Sequence, residues 1–228
     1  MRTLTIILLA KVLTTTAGGW ELANETNDGI KVFTRIKAGS DIREVQAMGL
    51  IDASPARVYK VISDLDNYKD FMPYTRESKV VAKEGKTTFF YSYIAPPVVT
   101  NRDYTLRMTD QSNLDPLAGF YKVSWEPAND RGPAPRSNTV RLEVNKGYWL
   151  LEVSEDGKQT TATYYLYTDP AGQIPTWLVN KANRDSVPDI FRAIRKRIKD
   201  KRPDLTFIDH DDYVALTGKQ SARDFFGV

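Results

Sequence analysis

Between about residues 20 and 168, apolar and polar positions alternate in short runs, and glycine, proline and asparagine clusters break the runs. That is the pattern of antiparallel strands joined by tight turns. Strands are expected at 20–26 and 30–35, around the turn Asn27-Asp28-Gly29, and at 42–51. Seven more are expected at 76–83, 87–94, 103–110, 119–127, 138–144, 148–154 and 160–168. One helical stretch interrupts them. Ser54 stands as an N-cap before Pro55, and Ala56, Val58, Tyr59 and Ile62 recur at helical spacing, which predicts a helix of about ten residues.

The period changes after residue 170. Residues 175–199 predict one long helix, with Val187, Ile190, Phe191, Ile194 and Ile198 on one side and Arg192, Arg195, Lys196 and Lys199 on the other. Pro188 falls inside it and is expected to bend it or remove one hydrogen bond. Twenty-five residues at 1.5 Å each span roughly 37 Å, enough to cover the concave face of a curved sheet. The fold class expected from pattern is α+β: a long antiparallel sheet, one inserted helix and one long closing helix.

Composition narrows the chemistry. The chain has 228 residues, no cysteine, one histidine and a net charge of +3. Thiol catalysis, disulfides and cysteine-ligated metals are excluded, and the mild charge gives no warrant for nucleic-acid binding. His210, beside Asp209, Asp211 and Asp212, reads as part of a solvated acidic turn. Neither a cofactor nor a metal is expected. The opening residues, with Arg2 before an apolar run and Thr15-Thr16-Ala17 as a small-residue exit, predict a signal peptide over 1–17 and hence a periplasmic or secreted protein, with a cytoplasmic one as the alternative. The expected main domain is 18–200, and 201–228 form a tail.

Alternation in the strands gathers aromatic side chains. Phe89, Tyr91 and Tyr93 share one face of their strand, Tyr104, Leu106 and Met108 share a face of the next, and Trp149 falls on a third. An apolar lining with hydroxyl handles suits an amphipathic small molecule. Together with Trp177, Val187, Phe191 and Ile194 of the last helix, these are the expected ligand-binding residues.

Three segments carry a family resemblance: GIKVFTR (29–35), YSYIAPPVVTNRDY (91–104) and DPAGQIPTWLVNKANRDSVPDIF (169–191). They resemble the START lipid-transfer domain over roughly residues 20–199. The resemblance implies a helix-grip fold, in which a curved antiparallel sheet wraps a long C-terminal helix around an apolar cavity for one lipid. It also implies a gate, here Pro96, Pro97, Val98 and Val99 within loop 95–101, working with helix 175–199. In the family's phosphatidylcholine-carrying members an aromatic cage holds choline. Tyr91 and Tyr104 match two of its positions, but Asn145 stands in place of the third aromatic, and Tyr68 and Met72 replace a charged pair. Sterol-type members carry a cavity charge where this chain has Met108.

The expected function is non-catalytic binding and transfer of a hydrophobic or amphipathic lipid by a monomer. The basic face Arg192, Arg195, Lys196 and Lys199 is the expected transient membrane contact. A polyketide cyclase or aromatase on the same scaffold, or a ligand-sensing regulator, are the alternatives.

Overall fold

The computed structural model describes residues 15–16, 18–97, 99–115 and 119–200. The remainder of the leader, Val98, and the 201–228 tail with His210 lie outside the described residues. Eleven strands form one sheet: β1 (Thr15–Thr16), β2 (Trp20–Glu25), β3 (Lys31–Arg35), β4 (Glu44–Ile51), β5 (Thr75–Glu84), β6 (Thr87–Ile94), β7 (Arg102–Asp110), β8 (Tyr121–Pro127), β9 (Val140–Arg141), β10 (Val144–Val153) and β11 (Thr160–Asp169). Their order is β1-β2-β3-β4-β11-β10-β8-β7-β6-β5. Strands adjacent in sequence thus pair as hairpins except at β9, which lies off this path on β7, and at one crossover, where β4 lies beside β11 and the chain must travel to the far edge to begin β5. The helices α1 (Pro55–Ser63) and α2 (Tyr68–Phe71) occupy that crossover. The cap of α1 is the expected one: Ser54 accepts a hydrogen bond from the Arg57 amide, and Pro55 takes the first turn. α2 and the single 3-10 turn before it carry no long apolar period, and pattern alone misses them.

The third helix, α3 (Thr176–Lys199), continues through Pro188, which is buried. With no N–H on Pro188, the Arg184 carbonyl loses its donor four residues on, yet the helical run persists. Its two halves do different work. The C-terminal half inserts Val187, Phe191, Ile194 and Ile198 into the main core beside Val58, Val61 and Ile62 of α1 and Val45 and Ala47 of β4. The N-terminal half roofs a cavity.

Segment 138–144 is not the expected meander strand. Val140–Arg141 pair parallel to Arg102–Asp103 of β7, Val144 already belongs to β10, and β8 pairs directly with β10. Side-chain bonds draw this part of the chain onto the outer face of the sheet. Arg141 grips the buried Asp103 at 2.9 and 2.8 Å, and Asn129 bonds the Leu142 carbonyl at 2.8 Å and accepts from the Thr105 amide at 2.9 Å. Gly132 packs so closely on β7 that a Cβ there would meet the Thr105 hydroxyl at 1.7 Å. Residues 129–141 therefore form a strap across β6 and β7.

The expected basic face is largely used within the molecule. Arg192 donates to Asp28 at 3.0 and 2.9 Å, and Arg195 donates to the Leu50 carbonyl at 2.7 Å and to Asp28 at 3.1 Å. Both are thereby committed to the β2–β3 turn and β4, at the opposite end of α3 from the residues that line the cavity, whereas Lys196 and Lys199 are exposed. Arg197 lies in the core and pairs with Asp64 at 3.1 Å.

The hydrogen bond from Arg192 holds the Asp28 carboxyl far below the 3.8 of a free aspartate. Because the folded-state value is depressed, its stabilisation is present above pH 3.8 and is lost as pH falls below it. The pair is partly solvated, so Asp28→Asn is expected to cost no more than about 1 kcal/mol at neutral pH. Urea midpoints at pH 7 and about pH 3 should differ less for the variant than for the parent chain. An equal pH difference in both would remove Asp28 from the acid response.

Candidate ligand cavity

Strand register decides which side chains face inward. Phe90 of β6 sits opposite Leu106, Ser92 opposite Tyr104, and Thr88 opposite Met108. Met108 in turn faces Trp125 of β8, and Trp149 of β10 faces Tyr164 of β11. Phe90, Tyr104, Leu106, Met108, Trp125, Trp149 and Tyr164, with the N-terminal half of α3, line a cavity of about 590 Å³. Its wall is a run of ring contacts: Tyr68 to Phe90 at 5.9 Å, Phe90 to Tyr104 at 6.4 Å, Trp125 to Tyr164 at 5.6 Å, and Trp149 to Tyr164 at 4.6 Å. The first two are edge-to-face, a favoured arrangement of aromatic quadrupoles.

Polar groups in this wall are few. The Tyr68 hydroxyl donates to the Ile62 carbonyl. Trp125 Nε1 donates to Asn145 Oδ1 at 3.1 Å, which turns the Asn145 amide nitrogen away from the indole. Burial pushes the phenols of Tyr68, Tyr104 and Tyr164 above their ordinary value of 10. At neutral pH all three are neutral, fit to donate hydrogen bonds and unfit to act as bases.

Of the expected ligand-binding residues, Tyr104, Leu106, Met108 and Trp149 line the cavity. Phe89, Tyr91 and Tyr93 point to the opposite face of the sheet, under the strap. There Arg131 lies 4.3 Å over the Phe89 ring, Arg136 lies over Tyr91 and Tyr93, and the Tyr91 hydroxyl donates to Asp103 at 3.2 Å. Burial and the Asp103 charge push the Tyr91 phenol up to about 12. Tyr91 and Tyr104 are therefore on different faces and cannot form two walls of one choline cage.

Val187, Phe191 and Ile194 are core residues outside the cavity wall, and Trp177 is 67% exposed on the first turn of α3. Of the expected gate, Pro96, Pro97 and Val99 line the mouth beside Ile174 and Leu178. Sequence pattern missed Phe90, Trp125, Tyr164 and Arg102. Trp125 and Tyr164 lay within reach, since alternation in YKVSWEP and TTATYYLY places them with other inward residues.

Residues 51–195 match the family described as polyketide cyclase / dehydrase and lipid transport. Human phosphatidylcholine transfer protein is 27% identical over 188 residues, covering 79% of this chain and 86% of that protein. An uncharacterized Pseudomonas aeruginosa protein, PA1579, is 26% identical over 180 residues, covering 78% of this chain and 86% of its own length. Among solved structures, a STAR-related lipid transfer protein fragment from Xanthomonas axonopodis superposes with a TM-score of 0.72 at 27% identity, over 80% of this chain and 99% of that one. Human STARD10 gives a TM-score of 0.68 at 18% identity, covering 92% and 81% of the two chains, a likeness of fold alone. Curved sheet, crossover helices and closing helix thus agree with the sequence match, and the chain belongs to the polyketide cyclase / dehydrase and lipid transport family, with the START fold.

Proposed function

We propose that the protein binds one hydrophobic or amphipathic lipid in the cavity under α3 and transfers it without chemical change. The observation that carries this reading is the wall itself: it is mostly aromatic and aliphatic, Tyr104 and Tyr164 are kept neutral by burial, and the charged lining residues Arg102, Lys181, Asp185 and Asp189 lie at the mouth and on α3. Human phosphatidylcholine transfer protein and the Xanthomonas axonopodis STAR-related lipid transfer protein support it by name. Loop 95–101 and the first turns of α3 form the gate. Exposed Trp177 and Leu178 beside Pro97 and Val99 make the mouth the surface that meets a bilayer, in preference to the basic C-terminal half of α3. The leader-like first residues extend the reading to an exported carrier, and mass measurement of the mature N-terminus after cell fractionation tests that part.

Mass spectrometry of lipid extracted from the purified chain is expected to find close to one lipid per protein. An empty cavity, together with turnover of a reactive polyketide mimic, would instead favour a cyclase, the other activity in the family's description. Tyr104→Ala removes an aromatic wall residue and its hydroxyl. It is expected to lower lipid retention several-fold, read by dialysis of labelled ligand, while the unfolding free energy falls by no more than the about 2–5 kcal/mol of large-to-small replacements. Unchanged retention removes Tyr104 from the site.

A further inference from the structure

Arg102 lies on the inward face of β7 and is 3% exposed at the mouth of the cavity, while Asp110, the other charged residue of β7 on that face, sits at the far end of the strand beside Tyr59. Three backbone carbonyls hold it. Its Nε donates to Pro170 at 3.2 Å, one terminal nitrogen bonds Thr100, and the other lies 3.5 Å from Ala171. A guanidinium has five N–H donors, so these bonds leave donors over. They also leave its charge uncompensated, because carbonyls carry dipoles and no net charge.

No carboxylate of the described residues pairs with it. Asp103, its chain neighbour, faces the other side of the sheet and is taken by Arg141. Two carboxylates of α3 that border the cavity are also committed: Asp185 to Lys181 and Arg184, and Asp189 to Arg192. Burial disfavours the charged form of Arg102, in keeping with a cation that lacks a counter-ion.

Beyond Arg102 the cavity of about 590 Å³ is lined by Leu106, Met108, Trp125 and Trp149, an apolar run that suits an acyl chain. We propose that the ligand is a lipid with an anionic head, that Arg102 binds the head at the mouth, and that an acyl chain runs inward along Leu106 and Met108 toward Trp125 and Trp149. The inference rests on the lipid-carrier reading and gives it a ligand class and an orientation, head toward the gate and tail inside.

The test compares palmitate with methyl palmitate, the same chain without its charge, on the delipidated full-length protein. Charge-assisted hydrogen bonds predict palmitate bound roughly 10- to 100-fold more tightly than the ester. Arg102→Gln should bring palmitate to the level of the ester and leave the ester unchanged. A parallel pair, lysophosphatidate and lysophosphatidylcholine, distinguishes a phosphate head from a carboxylate as the source of the anion. Equal affinity for acid and ester in the parent chain overturns the assignment, and that comparison stands even if the variant fails to fold. Equal loss of both in the variant also overturns it, since Arg102 would then be only a strut between the loops of the mouth. If no lipid of any head class is retained, the carrier reading itself fails, an outcome distinct from either.

Discussion

Phe191→Ala is expected to lower the unfolding free energy by about 3–5 kcal/mol, the usual range for deleting a buried phenyl ring. The ring is fully buried, packs 5.1 Å from the Trp149 indole and lies against β4, where Gly49 leaves room for it. A Cβ on Gly49 would stand 3.3 Å from two of its ring carbons. The surroundings are strand backbone and other core side chains, so they cannot collapse into the space left behind, and the cavity cost adds to the lost transfer energy. Phe191 does not line the ligand cavity. Urea titration should therefore show a large fall in midpoint, and the folded fraction should still bind lipid. A loss below about 1 kcal/mol would mean that the C-terminal half of α3 is not anchored as described.

Asp103→Ala should cost a similar amount for an electrostatic reason. Asp103 is inaccessible to solvent and accepts two bonds from Arg141 and one from the Tyr91 hydroxyl. Removing it leaves Arg141, itself mostly buried, without its counter-charge, a situation worth about 3–5 kcal/mol. The double variant Asp103→Leu with Arg141→Met removes both charges together and should recover much of that loss, because the isolated charge is the costly species. Limited proteolysis supplies a second readout. Cleavage within residues 129–139 should rise in the single variant, since Arg141 ties the strap to β7. Equal destabilisation in the single and double variants would reduce the pair to an ordinary surface contact.

The START neighbours agree with the resemblance seen in GIKVFTR, NRDY and GQIPTWLVN, and most of the element order could be read from pattern, the exceptions being α2 with its 3-10 turn and segment 138–144. Turn glycines, the Ser54–Pro55 cap and the change from a period of two to one of 3.6 after residue 170 are local features, and local chemistry is enough to specify them. The lining was harder to read for an identifiable reason. Alternation separates the two faces of a strand, but it reveals which face is inward only when the other is polar. In TTFFYSYI both faces are apolar, because the strap covers the outer one, and Phe89, Tyr91 and Tyr93 looked as inward as Phe90.

The sequence by itself determined the strands, the long closing helix and an aromatic-rich interior, since each follows from spacing within a few residues of chain. Tertiary structure alone decided the rest. The Ser92–Tyr104 register turned Tyr91 away from the cavity, the strap used outer-face charges that spacing could not pair, and Asp28 took Arg192 and Arg195 of α3 as ion-pair partners. It also left Arg102 inside the mouth with carbonyl partners only. Each depends on groups tens of residues apart in the chain, and a pairing of that kind exists only once the sheet has closed around its helix.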